Sequence, residues 1–262
     1  MSVAVITGAA SGIGAGLARE AVRRGMTVVL ADRDEAGLDS VAAELGAAAH
    51  SVPTDVTDPD ALERLAETAF ALGDVDLLFN NAGVLSTGLS WEIPADVWQA
   101  SLNVNINGIV NGLRAFVPRL NAASRPARIV NTSSVGGFLP SPFMAPYSAT
   151  KFAVVALTEA LAGELAATGS PVAVSLLAPG PVKTGIFREP PMAAARPFHA
   201  AMVAMLEAYG LTAEALAAIV FAGIDRGDYW IIPQPETLDA DLQKRISGIL
   251  AREAPHFYAT GE

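Results

Sequence analysis

The chain has 262 residues, a formal net charge of −10 and no cysteine. That balance excludes nucleic-acid or anionic-membrane binding driven by basic charge, and the missing thiols exclude disulfides and thiolate metal sites while permitting a reducing compartment. The apolar run from Val3 to Ile6 is too short for a secretory leader, and no stretch reaches the ~20 apolar residues needed to cross a bilayer, so a cytoplasmic protein is expected.

Short apolar runs alternate with longer amphipathic segments along the whole chain. Val3 to Ile6 reads as a buried strand, followed by the turn Thr7-Gly8-Ala9-Ala10-Ser11-Gly12-Ile13-Gly14 and a helix to about Arg24. Thr27 to Ala31 is a second strand and Glu35 to Leu45 a second helix. A third strand is expected near His50 to Pro53. Asp58 and Pro59 supply an N-cap and a first-position proline for the next helix. Asp76 to Phe79 is a fourth strand, ending at Asn80-Asn81-Ala82-Gly83, and one long helix is expected from about Ala95 to Leu120. Arg128 to Thr132 and Val172 to Leu177 are the fifth and sixth strands, with a helix from Tyr147 to Ala167 between them. A helix from Thr212 to Ile224, a last strand from Tyr229 to Ile232 and a last helix from Asp239 to Arg252 complete the series. Continuous Val/Ile/Leu strands separated by helices predict an α/β fold, a doubly wound, mostly parallel sheet covered on both faces. No repeat or linker divides the chain, so one domain spanning 1–262 is expected. The loosest stretch, Thr184 to Pro197 with prolines at 190, 191 and 197, follows the carboxyl end of a strand, where a substrate lid over about 184–210 would sit.

Two patterns carry chemistry. Gly8, Gly12 and Gly14 lie between the first strand and the first helix, where glycines allow a tight turn and close approach of backbone to a pyrophosphate. The helix start then offers free N–H groups to the anion. Tyr147 and Lys151 form an i, i+4 pair on a helix face. An ammonium beside a phenol favours the phenolate, and lowering a phenol to neutral pH takes about 4 kcal/mol of such stabilisation. A tyrosine so tuned exchanges a proton with an alcohol or ketone.

Thr7 to Gly14, Asn80 to Gly83, Ser134, Tyr147-x-x-x-Lys151 and Pro179-Gly180 stand in one order and at fitting intervals. Together they resemble the short-chain dehydrogenase/reductases, in the branch of about 250 residues with three residues between the first two glycines. The resemblance covers essentially the whole chain and implies a Rossmann-type fold and a nicotinamide cofactor. It implies that Ser134 holds the substrate oxygen, with Ser133 as its rival. Tyr147 is then the general acid/base, and Lys151 lowers its pKa and binds the nicotinamide ribose, with a cationic nicotinamide ring contributing further. Asn105 aligns with an asparagine that holds a proton-relay water, although Asn103, Asn107 and Asn111 share its stretch. For the cofactor, the resemblance implies contacts from Gly8, Ser11, Gly12, Ile13 and Gly14 in the loop and from Asp55 and Val56 at adenine. Asn81, Ala82 and Gly83 would flank the adenosine ribose. Pro179, Gly180 and Val182 would line the nicotinamide end, where Thr184 would bind the carboxamide.

Asp32 and Arg33 end the second strand. A carboxylate there accepts the ribose hydroxyls and favours NAD. It would repel a 2′-phosphate by about 4 kcal/mol at ~4 Å in an effective dielectric near 20, reduced by screening to roughly 1–2. Arg33 could offset that repulsion, which keeps NADP as the alternative. Leu85, Trp91, Phe138, Leu139, Phe143, Met144, Ile186, Phe187, Met192 and Phe198 are candidate pocket residues, and they point to a hydrophobic or aromatic secondary alcohol or ketone. Gly136 to Leu177 and Pro179 to Glu189 faintly resemble dehydrogenases of benzylic alcohols in lignin-derived compounds. No dedicated basic cluster suits an acyl-carrier phosphate or coenzyme A, the basic residues nearby being Lys183, Arg188 and Arg196. His50, His199 and His256 are scattered and read as structural or exposed.

Two other functions fit parts of this pattern. A dinucleotide-binding regulator or scaffold would not need the full Asn105, Ser134, Tyr147 and Lys151 set. A sugar epimerase or dehydratase usually has a glycine spacing one residue different and a separate sugar domain. The resemblance also implies a homotetramer, with a homodimer as second expectation, joined through the long helices and the terminal region, where Leu238, Leu242, Ile246, Ile249 and Leu250 form an apolar stripe.

Overall fold

Alternate residues of the first strand, β1 (Ser2–Thr7), serve opposite faces of the sheet. Val3 and Val5 join one core while Ala4 and Ile6 join the other, as the two-residue period of a strand requires. The computed structural model describes residues 1–255 and Phe257. Around β1 it sets β2 (Thr27–Asp32), β3 (Ala49–Pro53), β4 (Asp74–Asn80), β5 (Ala127–Thr132), β6 (Val172–Leu177) and β7 (Trp230–Ile231). The strands run parallel in the order β3-β2-β1-β4-β5-β6-β7. His256 falls outside the described residues.

Helices cover both faces. α1 (Gly12–Arg23), α2 (Glu35–Leu45) and α8 (Ala213–Arg226) close the core that contains Ile6, Leu30, Phe79, Leu216 and Phe221. α3 (Pro59–Leu72), α5 (Gly108–Ala123) and α6 (Ala145–Ala167) close the opposite core, around Val5, Leu65, Leu78, Phe116 and Leu161. Truncating any one of these buried leucines to alanine would cost about 2–5 kcal/mol. Among the described residues no helix is long and apolar enough to cross a membrane.

The chain winds outward from β1 to β3, then returns to place β4 on the other side of β1. At this reversal the connections leave in opposite directions, and a crevice opens at the carboxyl ends of β1 and β4. The strand ends and helix starts that shape the site meet there.

Several elements differ from their sequence-based expectation. The single helix expected from Ala95 to Leu120 is two, α4 (Ala95–Leu102) and α5, joined by a π-turn over Asn103–Asn107. Four-residue side-chain bonds from Gln99 and Asn107 to Asn103 mark that turn, and asparagine competes well with regular helical bonding. The stretch after Thr184 is more ordered than expected. It holds two 3-10 turns, Gly185–Phe187 and Ala193–Ala195, and then a full helix, α7 (Arg196–Tyr209), with Pro197 in its first turn. The last strand shrinks to a two-residue edge pairing with Leu176 and Leu177, and a last helix, α9 (Asp239–Ala251), follows it.

Candidate active site

Beyond β1 the backbone turns through Gly8 at φ 70° and Gly12 at φ 54°, conformations that glycine adopts at little steric cost. A Cβ on Gly8 would lie 2.9 Å from the Cα of Ala82, and one on Gly14 only 2.1 Å from the Gly8 carbonyl oxygen. The loop is thus pressed onto the Asn80 to Gly83 turn. Thr7 seals the two, its Oγ1 accepting the N–H groups of Asn81 at 2.9 Å and Ala82 at 3.1 Å. Helix α1 then begins with Ser11 as N-cap, without a side-chain cap and with no acidic residue in its first turn. Such an uncapped end keeps N–H groups for an anion.

A cleft of about 470 Å³ runs from this loop to the start of α6. Its wall includes Asp32 and Arg33, and also Asp55 and Val56. The Asp32 carboxylate accepts the N–H of Ala10 at 3.2 Å and of Asp34 at 3.1 Å. Asp55 closes its own turn onto Thr57. Gly8, Ser11, Gly12, Ile13, Asn81, Ala82 and Gly83 line the middle, and Pro179, Gly180, Val182 and Thr184 line the far side. Gly14 is not in the wall. Its smallness serves the packing beneath the loop.

At the deep end stand Ser134, Tyr147 and Lys151. Ser134 caps a 3-10 turn at Val135–Gly137 and accepts the Gly136 N–H at 3.1 Å. The neighbouring Ser133 hydroxyl donates to the Lys151 main-chain carbonyl at 2.9 Å, which leaves Ser134 as the serine hydrogen-bonded to the Tyr147 phenol. Lys151 is 4% exposed, donates to the Thr132 carbonyl at 2.8 Å and lies 5.7 Å from the centroid of the Tyr147 ring. Burial pulls its ammonium down to about 8. Burial also pushes the Tyr147 phenol up, against the opposing pull of the Ser134 hydrogen bond. The protein alone therefore holds this phenol above its ordinary pKa, the reverse of the expectation drawn from the Tyr-Lys spacing, because desolvation outweighs that hydrogen bond.

Asn105, 1% exposed, is outside the cleft wall. Its side-chain amide donates to the Val84 carbonyl and to Thr150 Oγ1, both at 3.0 Å. Thr150 in turn donates to the Tyr147 carbonyl at 2.8 Å. The asparagine thus ties the end of the β4 turn to the first turn of α6.

The outer wall is apolar. Leu85, Leu139, Met144, Ile186 and Phe187 line it as expected from sequence, and Met202, Met205 and Leu206 join them from α7. The signal for Met202 and Leu206 was their four-residue spacing from Phe198, and Met205 sits three residues after Met202. Other expected pocket residues are elsewhere. Trp91 is 78% exposed, and Phe138 stacks edge-on against Trp230. Phe143 and Phe198 support the wall from behind, against Met144 and Met202, while Met192 packs over Gly88. His199 meets the Phe187 carbonyl at 2.9 Å and joins α7 to the turn before it. A contact that sequence reading missed comes from Gln234, which is 5% exposed. Its amide donates to the Pro181 carbonyl at 3.0 Å and braces the Pro179 to Val182 segment from behind.

A family model described as short chain dehydrogenase matches residues 2–193. The chain belongs to the short-chain dehydrogenase family. It is an oxidoreductase of that family, and several of its relatives carry dehydrogenase names. It is 46% identical to the 1-deoxy-11-beta-hydroxypentalenate dehydrogenase of Streptomyces exfoliatus, over 69% of this chain and 67% of that one. It is 34% identical to a C alpha-dehydrogenase of Sphingobium sp. strain SYK-6, over 97% and 87% of the two chains. A crystal structure of a short-chain dehydrogenase/reductase from Burkholderia phymatum in complex with NAD superposes with a TM-score of 0.94. It is 35% identical, and the match covers 98% of this chain and 97% of that one.

Proposed function

We propose that this short-chain dehydrogenase interconverts an apolar secondary alcohol and its ketone, with NAD as the dinucleotide along the cleft. The observation that carries the reading is the meeting of Ser134, Tyr147 and Lys151 at the deep end, against a wall of methionine, leucine and phenylalanine side chains. The cleft fits a dinucleotide. Glycine at positions 8 and 12 lets the loop pack against Ala82 and Thr184, the uncapped start of α1 suits a pyrophosphate, and Asp32 presents a carboxylate at the ribose end. NAD in the Burkholderia relative supports the same choice.

When bound there, a nicotinamide dinucleotide supplies the hydride acceptor or donor. The protein supplies everything else. Ser134 donates to the substrate oxygen and stabilises charge developing on it. Tyr147 takes the alcohol proton in oxidation and returns it in reduction. Lys151 holds a positive charge beside the phenol and favours its anion. Asn105 fixes the start of α6 through Thr150, so that the acid/base stays within reach of the oxygen. The flexible thioethers of Met144, Met202 and Met205 adapt to irregular apolar shapes.

Absorbance of reduced nicotinamide, followed with NAD or NADP across a panel of aryl and alicyclic secondary alcohols, tests the proposal. Turnover favouring NAD and the more apolar alcohols is expected. No turnover with any of them, or selectivity for charged alcohols, would overturn it.

A further inference from the structure

A dinucleotide carries two negative charges at its centre, yet the three residues before Gly12 are Ala9, Ala10 and Ser11, none of them basic. The cleft wall carries four carboxylates, Asp32, Asp34, Asp55 and Glu189, and three cations, Arg33, Lys151 and Arg188. Arg33 adjoins Asp32 at the ribose end, and Lys151 is buried at the opposite end on the Thr132 carbonyl. The cation that remains for the centre is Arg188.

Its placement is specific. Arg188 follows the 3-10 turn at Gly185–Phe187, on the segment that crosses from the outer wall to the glycine loop. The methyl of Thr184 lies over Gly12, 3.1 Å from where a Cβ would stand. The Arg188 guanidinium donates back to the Gly185 carbonyl at 3.2 Å and across the cleft mouth to Ser11 Oγ at 3.4 Å. Both acceptors are neutral, and the second is at the long limit of a hydrogen bond. Ser11 is also the N-cap whose side chain leaves the first turn of α1 uncapped.

We propose that Arg188 is a pyrophosphate clamp, an inference that rests on the dinucleotide reading of the cleft. On binding, its guanidinium exchanges the weak Ser11 contact for the phosphate oxygens above the start of α1. Arginine makes charge-assisted, often bidentate bonds to phosphate, so this exchange ties the Thr184–Arg188 segment to the bound molecule. The glycine loop has no basic residue of its own because the cation comes from the opposite bank. An ordered outer wall then becomes part of cofactor binding.

The test compares the full-length parent with Arg188→Gln and Arg188→Lys, using ADP-ribose, which carries the pyrophosphate, and adenosine, which does not. ADP-ribose is titrated by calorimetry at low and moderate salt, and adenosine by NMR shift titration. Arg188→Gln is expected to weaken ADP-ribose about tenfold, flatten its salt dependence and leave adenosine unchanged. Arg188→Lys keeps the charge but not the fork and should fall between them. ADP-ribose affinity within twofold of the parent in Arg188→Gln, or an equal loss for adenosine, would overturn the clamp while leaving the dinucleotide site intact. A parent that binds neither ligand would overturn the dinucleotide reading and the clamp with it.

Discussion

Asn105 and Val84 bond to each other twice, as adjacent strands do. The asparagine side-chain oxygen accepts the Val84 N–H at 2.8 Å, and its amide donates to the Val84 carbonyl at 3.0 Å. One side chain satisfies both polar groups of a turn that has left the sheet. Replacing it by alanine strands the two Val84 backbone groups and removes one of the two bonds of the Thr150 hydroxyl, which keeps its bond to the Tyr147 carbonyl. Asn105→Ala should therefore destabilise the protein by about 2–4 kcal/mol, read as a lowered thermal midpoint. A midpoint within a degree of the parent would mean that the clamp contributes little.

Tyr147→Phe should abolish nearly all turnover while NAD binding stays within a few-fold, because the ring remains and only the proton-carrying oxygen is lost. Steady-state rates beside fluorescence titration of reduced nicotinamide check both halves. Activity within tenfold of the parent would exclude this tyrosine as the acid/base.

The Lys151 ammonium, pulled down to about 8 by burial, is charged below that pH and neutral above it. While charged, it favours the Tyr147 phenolate. Lys151→Met should therefore shift the rising limb of the alcohol-oxidation profile to higher pH. Parent and variant should differ most below about pH 8 and converge above it. Parallel profiles with only a changed affinity would remove lysine from the tuning of the phenol.

Asp32 has two tasks that separate by substitution. It braces Ala10 and Asp34, and in the proposed function it presents a negative charge to the ribose. Asp32→Asn can keep part of the bracing and loses the charge, whereas Asp32→Ala loses both. Each should move the ratio of catalytic efficiencies from NAD toward NADP by about tenfold, and only the alanine variant should also lose thermal stability. A parent that already prefers NADP would show that Arg33 governs this pocket.

Glu20 offers a stability test far from the chemistry. The Arg23 guanidinium, bonded to it at 2.6 Å, holds its carboxyl down to about 2 against the opposing effect of burial, with Arg24 adding to the pull. A depressed carboxylate stabilises the fold above its ordinary range and loses that contribution as pH falls toward 2. With both arginines partly in solvent, Glu20→Gln should cost roughly 2 kcal/mol at pH 7. The difference should shrink in melts below pH 3. An equal gap at both pH values would refute the linkage.

The strands were the most legible part of the sequence. Runs such as Val3-Ala4-Val5-Ile6 are apolar on both faces because helices cover both. The glycine loop and the Tyr147–Lys151 pair were legible because their spacing alone fixes their geometry. Helix α7 was hidden by Pro190, Pro191 and Pro197, which read as breaks, although Pro197 occupies a first-turn position that tolerates it. The π-turn at Asn103–Asn107 left no periodic signal, since the apolar stripe continues on both sides. The phenol's raised pKa was illegible for another reason: spacing shows which charge is near, while desolvation depends on everything else packed around it.

The brace from Gln234 to Pro181 ties one wall of the cleft to a part of the chain beyond residue 193. Anyone exchanging the residues beyond Val182 for those of a relative, to borrow its substrate preference, would also exchange the prop behind Pro179 and Gly180. A chimera joined after Val182 would then carry a new pocket on a loosened Pro179 to Val182 segment, and a lost activity could be mistaken for a failed substrate graft. Moving Gln234 together with the Pro179 to Val182 segment, as one cassette, keeps the two properties separable.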